Sequence, residues 1–581
     1  MKNAEIAAAF DRIADALEIK GESGFKVQAY RKAARVIGDL SEDIAKVAAE
    51  ERLEFIRGIG ASIALKVEEY LKTGGMARLR EALAVVPPGL LELLEIQGIG
   101  GKTIHLMHEE LGVEDLDGLK RVIADGALAA LRGMGEKKAD NIRKGIAAHE
   151  GVRKRISIHE AAVAADAVVA YLASSPLVGR VAAAGSLRRM KETVGDIDIL
   201  ATGRDGAAVI RRFTAYPEAV RVLARGETKG SIIVRSGPTE RQVDLRLVKD
   251  SEYGAALLYF TGSKAHNIKL RGMAKDRGLK ISEYGIFRGA KKLAGRTEEE
   301  VYDVLGLPWI PPEMREDRGE IELAAEGRLP AIVAPADIRG DLHVHTKASD
   351  GTMTLEEIVE RGKALGYSYV AICDHSPSVH YAHGLSLDRL ADQMKEIDAL
   401  NARLKGFRLL KASEVDILAD GRLDLPDAIL AKLDFVVAAI HSGFRRNVTT
   451  RMLKAMENPR VSTIAHPTGR LISGREGYEV DVDKVLEGAK RTGKALELNA
   501  YYDRLDLNEL NLMKARDMGI RISIGTDTHT PGGMDMMRFG VGVARRAWLK
   551  PEDLLNCREP EKFAPRAKAL PRGGRRRASP S

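Results

Sequence analysis

From residue 338 onward, short apolar runs alternate with helical stretches, and most runs end on a histidine or an acid. The runs read DLHVHT, YVAICDH, RLLKASEVDIL, FVVAAIH, VSTIAH, KALELNA and RISIGTD, with patterns such as LEEIVERGKALG between them. Strands alternating with helices build parallel sheets, and barrels of this kind carry their chemistry at the C-terminal strand ends. The pattern therefore predicts an α/β barrel over residues 338–565 with polar side chains gathered at one rim. His343 and His345 sit two apart on an apolar run, so their imidazoles share one face. Asp350, His375, Glu414, His441, His466, Asp527 and His529 follow along the same stretch. Imidazole and carboxylate suit Mn²⁺ or Zn²⁺. Nine donors exceed one tetrahedral site, so two to three ions are expected. Clustered metals activate water and polarise a phosphoryl oxygen, which predicts phosphoester hydrolysis. Asp374 and Asn499 are expected to orient the ligands. His380 and His383 fall outside the pattern and are read as rim residues.

The chain has 581 residues, too many for one core of ~250–300 residues. Several domains are expected, about four on length alone. With 45% hydrophobic and 30% charged residues the composition is that of a globular protein. A net charge of +8 is compatible with a polyanionic partner. Part of it lies in residues 566–581, a basic stretch without an acid, read as a disordered tail. The two cysteines, Cys373 and Cys557, build neither a disulfide framework nor a CxxC site, which fits a reducing cytoplasm. The amphipathic N-terminus lacks the apolar core of a signal peptide. No run approaches ~18 apolar residues, so no membrane span is expected.

Residues 1–150 read as helices broken by a recurring turn: Ile56 to Gly60, Ile96 to Gly100 and Leu131 to Gly135 each spell apolar-x-Gly-apolar-Gly. Repetition of this kind organises the whole segment. The glycine pairs Gly58 and Gly60, Gly98 and Gly100, and Gly133 and Gly135 allow positive φ and close approach of another chain. The helix that follows each turn starts with free N–H groups, which bind phosphate without reading sequence. The turns therefore resemble helix-hairpin-helix elements that grip DNA. Between residues 181 and 248 the pattern changes to β-branched runs. Gly185-Ser186-Leu187-Arg188-Arg189 precedes Gly195-Asp196-Ile197-Asp198, and Asp244 lies in a later run. Asp196 and Asp198 share a strand face. Together with Asp244 they form a carboxylate triad for Mg²⁺ (or Mn²⁺), suited to two-metal phosphoryl transfer.

The triad with its GS…RR lead is similar to the nucleotidyltransferase superfamily. Tyr259-Phe260-Thr261-Gly262-Ser263, His266 to Arg271 and Ser282 to Gly285 narrow the resemblance to family X DNA polymerases of the polymerase beta type, over residues 1–310. That resemblance implies a DNA-directed DNA polymerase that fills short gaps in base excision repair, using dNTPs on gapped or nicked DNA with a 5′-phosphate. It implies that Asp196 and Asp198 bind both metals and that Asp244 joins the catalytic one. Gly185, Ser186, Arg189 and Arg155 would hold the triphosphate. Tyr259, Phe260 and Gly262 would pack at the sugar, Asn267 at the base edge and Arg271 on the template. Lys264 replaces an acid of the family pattern beside the base, and Gln242 replaces an arginine beside the third carboxylate. Residues 24–34 resemble the family's small 5′-phosphate-binding domain. There Lys66 falls at the Schiff-base position of a lyase, with Ser62 in place of a second basic residue. The C-terminal order HxH…D…H…E…H…H…DxH resembles the polymerase and histidinol phosphatase (PHP) family, with every ligand position filled. It implies a 3′–5′ exonuclease or an abasic-site endonuclease.

The resulting map is multidomain. Residues 1–80 form a helical DNA- and 5′-phosphate-binding domain, and 81–150 a fingers-like helix-hairpin-helix domain. Residues 151–248 form an α+β nucleotidyltransferase palm, and 249–310 a nucleotide-selecting, thumb-type subdomain. Residues 311–337 are a linker, 338–565 the distorted α/β PHP barrel and 566–581 the tail. The expected protein is a cytoplasmic monomer associated with DNA. A second reading makes it a nucleotidyltransferase fused to a small-molecule phosphatase. A third makes it a non-catalytic scaffold at DNA ends, which the three mutually repelling acids disfavour.

Overall fold

The computed structural model describes residues 3–564, apart from 39, 41–42, 57, 85, 97–98, 132, 152–154, 237–238 and 473–476. The predicted tail and Gly98 lie outside the described residues. The chain divides into two units: Met1–Lys154 with Thr214–Gly226 and Gly230–Val243, and Arg155–Phe213 with Glu227–Lys229 and Asp244–Ser581.

The first unit is mainly helical. Helices Asn3–Ile19, Gly24–Gly38 and Ala61–Thr73 bury their apolar stripes around Phe10, Ile13, Ile37 and Val67. Helices Gly101–Leu111, Leu116–Ala124 and Gly135–Gly151 enclose a second core around Leu90, Ile104, Leu119 and Ile142. The predicted turns stand between these helices. Gly60 and Gly100 cap their helices in extended conformation. Gly58, Gly133 and Gly135 have positive φ of 111°, 84° and 64°. Residues 219–225 and 230–236 of the same unit pair as antiparallel strands.

In the second unit helix Ile158–Ala173 starts at a reciprocal cap between Ser157 and Glu160, which satisfies backbone donors at its first turn. Strand Val178–Ala183 pairs antiparallel with Ile197–Gly203, and residues 244–248 of this unit are also strand. Helices Tyr253–Thr261, Lys264–Asp276 and Glu298–Val304 surround a core that includes Leu258, Leu270, Val301 and Tyr302. The core extends through Met314 and Ile321 to Trp548.

The expected barrel is present. Seven parallel strands run in chain order: Gly340–Val344, Tyr369–Ile372, Arg408–Asp416, Phe435–Ala439, Thr463–Ile464, Ala495–Asn499 and Ile522–Gly525. Residues 344 and 528 form a parallel bridge between the first and last strands, and His345 N donates to the Thr528 carbonyl at 3.0 Å. Both faces of each strand are covered, which is why the runs read as nearly continuous apolar stretches. Among the described residues no helix is long and apolar enough to cross a membrane.

Segment 311–337, read from its prolines as a linker, is ordered. It contains helix Glu320–Ala325 and fully buries the Arg315 side chain. Prolines fix φ without preventing a segment from packing.

Candidate active sites

The first site grows from one glycine. Gly185 has φ +62°, and a Cβ on it would stand 2.5 Å from Oδ2 of Asp198. The bare backbone therefore lets the Gly185–Arg188 turn approach the carboxylate directly. Asp198 lies in strand Ile197–Gly203 with Asp196 just before it, and Asp244 is buried on Thr239–Val248. Burial, then the charges of Asp244 and Asp196, push Asp198 up to about 6. Burial and Asp244 also raise Asp196. The triad is thus assembled, and its mutual repulsion is the electrostatic condition that a divalent cation relieves.

Lys229, which sequence reading did not single out, reaches Asp244 Oδ2 at 3.1 Å. A lysine in a strand carries no periodic sign of its partner. Arg246 covers the Phe260 ring at 4.5 Å, and Phe260 meets Tyr259 edge-on at 5.2 Å. Asn267 Nδ2 donates to the Tyr259 carbonyl at 2.7 Å, and Arg271 is exposed. Gly262, at φ +71°, lies beside Arg189, whose Nη1 would stand 3.1 Å from an added Cβ. Ser186 is half-buried in the Gly185–Arg188 turn. Arg155 Nε donates to Thr193 Oγ1 at 2.8 Å; burial and the neighbouring Arg189 lower its pKa. Arg189 was expected to face a triphosphate. Here its Nε pairs with Glu316 at 3.0 Å and its Nη1 donates to the Thr261 carbonyl.

The second site lies at the C-terminal ends of the barrel strands. Glu414 is its hub: Oε1 approaches His466 Nε2 at 2.9 Å and His441 Nε2 at 3.3 Å, while Oε2 approaches His375 Nδ1 at 2.9 Å. His345 Nε2 stands 3.2 Å from Asp527 Oδ1, and its Nδ1 3.6 Å from Asp350. Asp350 also faces His375 at 3.5 Å and His529 at 3.3 Å. Three overlapping groups could each hold an ion: His345, Asp350, His375 and His529; His343, His345 and Asp527; and His375, Glu414 and His441. His343 Nδ1 of His345's strand neighbour bonds Glu497 Oε1 at 2.6 Å, leaving Nε2 turned inward.

A fit to metal is tested by the buried donors. Nδ1 of His345 and of His375 and Oε2 of Glu414 are buried and make no aligned hydrogen bond, although His345 Nδ1 stands 3.6 Å from Asp350 and His375 Nδ1 2.9 Å from Glu414 Oε2. Buried polar atoms normally find partners, and clustered imidazole and carboxylate donors of this kind are what several cations would satisfy. Burial pushes Glu414 up, but the facing His441, His343 and His375 outweigh it and hold the carboxyl well below its usual range. Against burial, Glu414 and Asp350 raise His375 to about 10. Two of the residues, His466 and Asp527, hold positive φ of 27° and 53°. For residues other than glycine this is strained backbone, and such strain concentrates at functional sites.

Asp374 accepts from Thr346 N at 2.8 Å and Thr346 Oγ1 at 2.6 Å, and so fixes the loop after His345. Asn499 Nδ2 donates to Asp527 Oδ2 at 3.0 Å. Glu497 and Asp416 were missed. Glu497 also accepts from His466 N at 2.7 Å, and Asp416 accepts from His441 N at 2.9 Å. A charged residue inside the apolar run ALELN was the available signal for Glu497. His380 and His383 are exposed.

In the first unit, a Cβ at Gly60, Gly100, Gly133 or Gly135 would meet nothing within 4 Å, so these turns face open space. Lys66 Nζ donates to the Ser62 carbonyl at 2.8 Å and Oγ at 2.9 Å, with the Tyr30 ring centroid 6.0 Å away.

Comparison with known families places four matches along the chain. Residues 1–76 match the helix-hairpin-helix domain and 90–148 the SAM-like helix-hairpin-helix tandem. Residues 256–316 match the DNA polymerase beta thumb, and 341–500 the PHP domain. The chain is 39% identical over 563 residues to the DNA polymerase/3′–5′ exonuclease PolX of Bacillus subtilis (strain 168), covering 96% of this chain and 98% of that protein. DNA polymerase lambda of Rattus norvegicus is 28% identical over 345 residues, 54% of this chain and 56% of its own length. A probable phosphatase of Thermoanaerobacter sp. (strain X514) is 30% identical over 231 residues, 37% of this chain and 89% of its own.

Proposed function

The chain belongs to the family of the DNA polymerase/3′–5′ exonuclease PolX, and from that membership we propose that it fills short gaps during base excision repair and trims 3′ ends at its barrel. The polymerase reading rests above all on the close approach of the Gly185 turn to Asp198, beside Asp196 and the buried Asp244; burial, and after it the neighbouring carboxylates, raise Asp196 and Asp198. In this reading Asp196 and Asp198 bind two Mg²⁺ or Mn²⁺ ions and Asp244 joins the catalytic one. The metals would supply charge stabilisation to the attacking and leaving oxygens of an in-line displacement. Gly185, Ser186, Arg155 and Arg189 would receive the triphosphate of a dNTP, and Tyr259, Phe260, Gly262, Asn267 and Arg271 would line the sugar, base and template. The open turns at Gly60, Gly100, Gly133 and Gly135, with Gly58 packed beside Lys32, would hold duplex phosphates on either side of the gap. Lys66 is the candidate for 5′-deoxyribose-phosphate removal.

At the barrel, His343, His345, Asp350, His375, Glu414, His441, His466, Asp527 and His529 would hold two to three Mn²⁺ or Zn²⁺ ions, which supply water activation and phosphoryl polarisation. Glu497 and Asp416 orient the imidazoles and their loops. The substrate in this reading is the 3′-terminal phosphodiester, with abasic-site cleavage as a further activity.

The test uses a gapped duplex with a 5′-phosphate and a labelled primer, with and without dNTPs. Asp198→Ala is expected to lose extension and keep 3′ shortening, and His343→Ala the reverse. Absence of both activities from the metal-loaded wild type rejects the DNA reading. The 30% identity to a probable phosphatase supports a second reading, in which the barrel hydrolyses small phosphomonoesters. Phosphate release from such a compound without DNA, faster than 3′ shortening, would favour it.

A further inference from the structure

We infer that Arg546 and Glu316, which lie outside the palm, are positioning residues for the incoming nucleotide: they orient Arg189 and the turn that carries it. The inference deepens the proposed polymerase reading and rests on Arg189 as a triphosphate ligand.

The turn that leaves helix Gly185–Arg188 passes through Met190 at φ +54°. A residue other than glycine holds that conformation when its surroundings impose it. Here the imposing element is helix Met537–Arg546 of the barrel domain. It comes so close that a Cβ on Gly542 would stand 2.8 Å from Met190 Cγ. One turn further on, Arg546 Nη1 donates to the Arg189 carbonyl at 2.6 Å and to Glu316 Oε1 at 3.0 Å. The same Glu316 oxygen accepts from Arg189 Nε at 3.0 Å. Arg546 thus fixes both the backbone of Arg189 and the carboxylate that aims its side chain.

Glu509 completes the array. Arg546 Nε donates to it, Arg318 meets it at 2.7 Å and Lys191 at 3.5 Å. The Arg546 side chain is fully buried, and those of Arg189 and Glu316 are 13% and 11% exposed. Four cations, Arg189, Lys191, Arg318 and Arg546, therefore face two carboxylates, Glu316 and Glu509. The formal surplus, four minus two, is two positive charges around the Arg189 turn. Arg155, close enough to feel both Arg189 and Asp196, adds to it. A polyphosphate is the anion that such a surplus suits.

With Nε tied to Glu316 and Nη1 to the Thr261 carbonyl, the Arg189 plane is fixed and Nη2 makes no hydrogen bond among the described residues. A guanidinium locked in its bound orientation loses less freedom when it takes a phosphate, so the effect belongs in nucleotide affinity.

The test measures dNTP KM and kcat for gap filling by the full-length enzyme with Mg²⁺, alongside its 3′–5′ exonuclease rate and melting temperature. Glu316→Gln and Arg546→Met are expected to raise KM about 10-fold, with kcat and the exonuclease rate within about threefold, the signature of lost uniform binding. Arg546→Lys, which can still donate to the Arg189 carbonyl, should recover part of the loss. Arg189→Ala tests the underlying reading, and an unchanged KM there rejects Arg189 as a nucleotide ligand. A raised KM in Arg189→Ala with normal KM in Glu316→Gln and Arg546→Met overturns the positioning inference alone. So does a parallel fall of kcat, exonuclease rate and melting temperature in the isosteric Glu316→Gln, which marks a structural role.

Discussion

At Asp198 burial and two facing carboxylates act in the same direction and set the acid near 6. The sign of the pH effect follows. Above that value the group is ionised and able to hold a cation; as pH falls through it, a proton competes with the metal. The Mg²⁺ concentration for half-maximal gap filling should therefore rise between pH 7.5 and 5.5, and an unchanged midpoint in magnesium titrations across that range would contradict the assignment. Glu497 plays the supporting part at the barrel, with one oxygen on His343 Nδ1 and the other on His466 N. Glu497→Ala should lower exonuclease rate or metal affinity about 10–100-fold while leaving extension intact. Direct metal titration beside both assays checks this. The nine candidate barrel ligands could be named because histidines and acids at strand ends have a visible spacing, and eight of them fall in the three groups that could hold an ion among the described residues. Glu497 and Asp416 were not legible, because an acid that holds a ligand resembles in sequence an acid that is one.

Among the elements, helix Glu298–Val304 carries an unusually concentrated load at its first residue. Glu298 accepts two bonds from Arg188, at 2.7 and 2.8 Å, two from Arg315, at 2.7 and 3.0 Å, and one from Trp309 Nε1 at 2.9 Å. Burial alone would raise its pKa, but Arg315 and Arg188 outweigh burial and hold the carboxyl well below the usual range. Removing one partner leaves the fully buried Arg315 without its ion-paired carboxylate, so Glu298→Ala should cost about 3–5 kcal/mol. Chemical denaturation of the second unit measures it. Because the folded pKa is depressed, the stabilisation is complete above the ordinary glutamate value of 4.5 and fades as pH falls below it. The wild type should therefore lose stability more steeply than Glu298→Gln in that acid range. The element pattern of the barrel was readable from alternation alone. Segment 311–337 was not: its prolines and charges suggest a linker, whereas Met314, Ile321 and Arg315 find their burial against distant residues such as Trp548 and Glu298.

For the whole molecule, two clusters of metal-seeking groups on one chain imply separable chemistry. A mixture of Asp198→Ala and His343→Ala proteins should restore both extension and 3′ shortening to a reaction that neither variant performs alone. Metals that bind the folded barrel and not the unfolded chain stabilise it by about 2.7 kcal/mol at a hundredfold excess over Kd. Chelation should accordingly lower a calorimetric transition of the second unit and leave that of the helical first unit in place. Equal shifts in both would show that the ions are not confined to the barrel.

The sequence by itself determined the classes of chemistry and their order along the chain. Periodicities of two and 3.6 residues record which face a side chain occupies, so the HxH and DxD pairs, the glycine turns and the alternating barrel were all open to reading. The tertiary structure alone decided the partners: Lys229 on Asp244, Glu497 on His343, Glu298 on Arg315, and Arg546 on the Arg189 carbonyl across 357 positions of sequence. Charged pairs of that kind are set by where folded elements meet, and a meeting between remote segments leaves no periodic mark on either one.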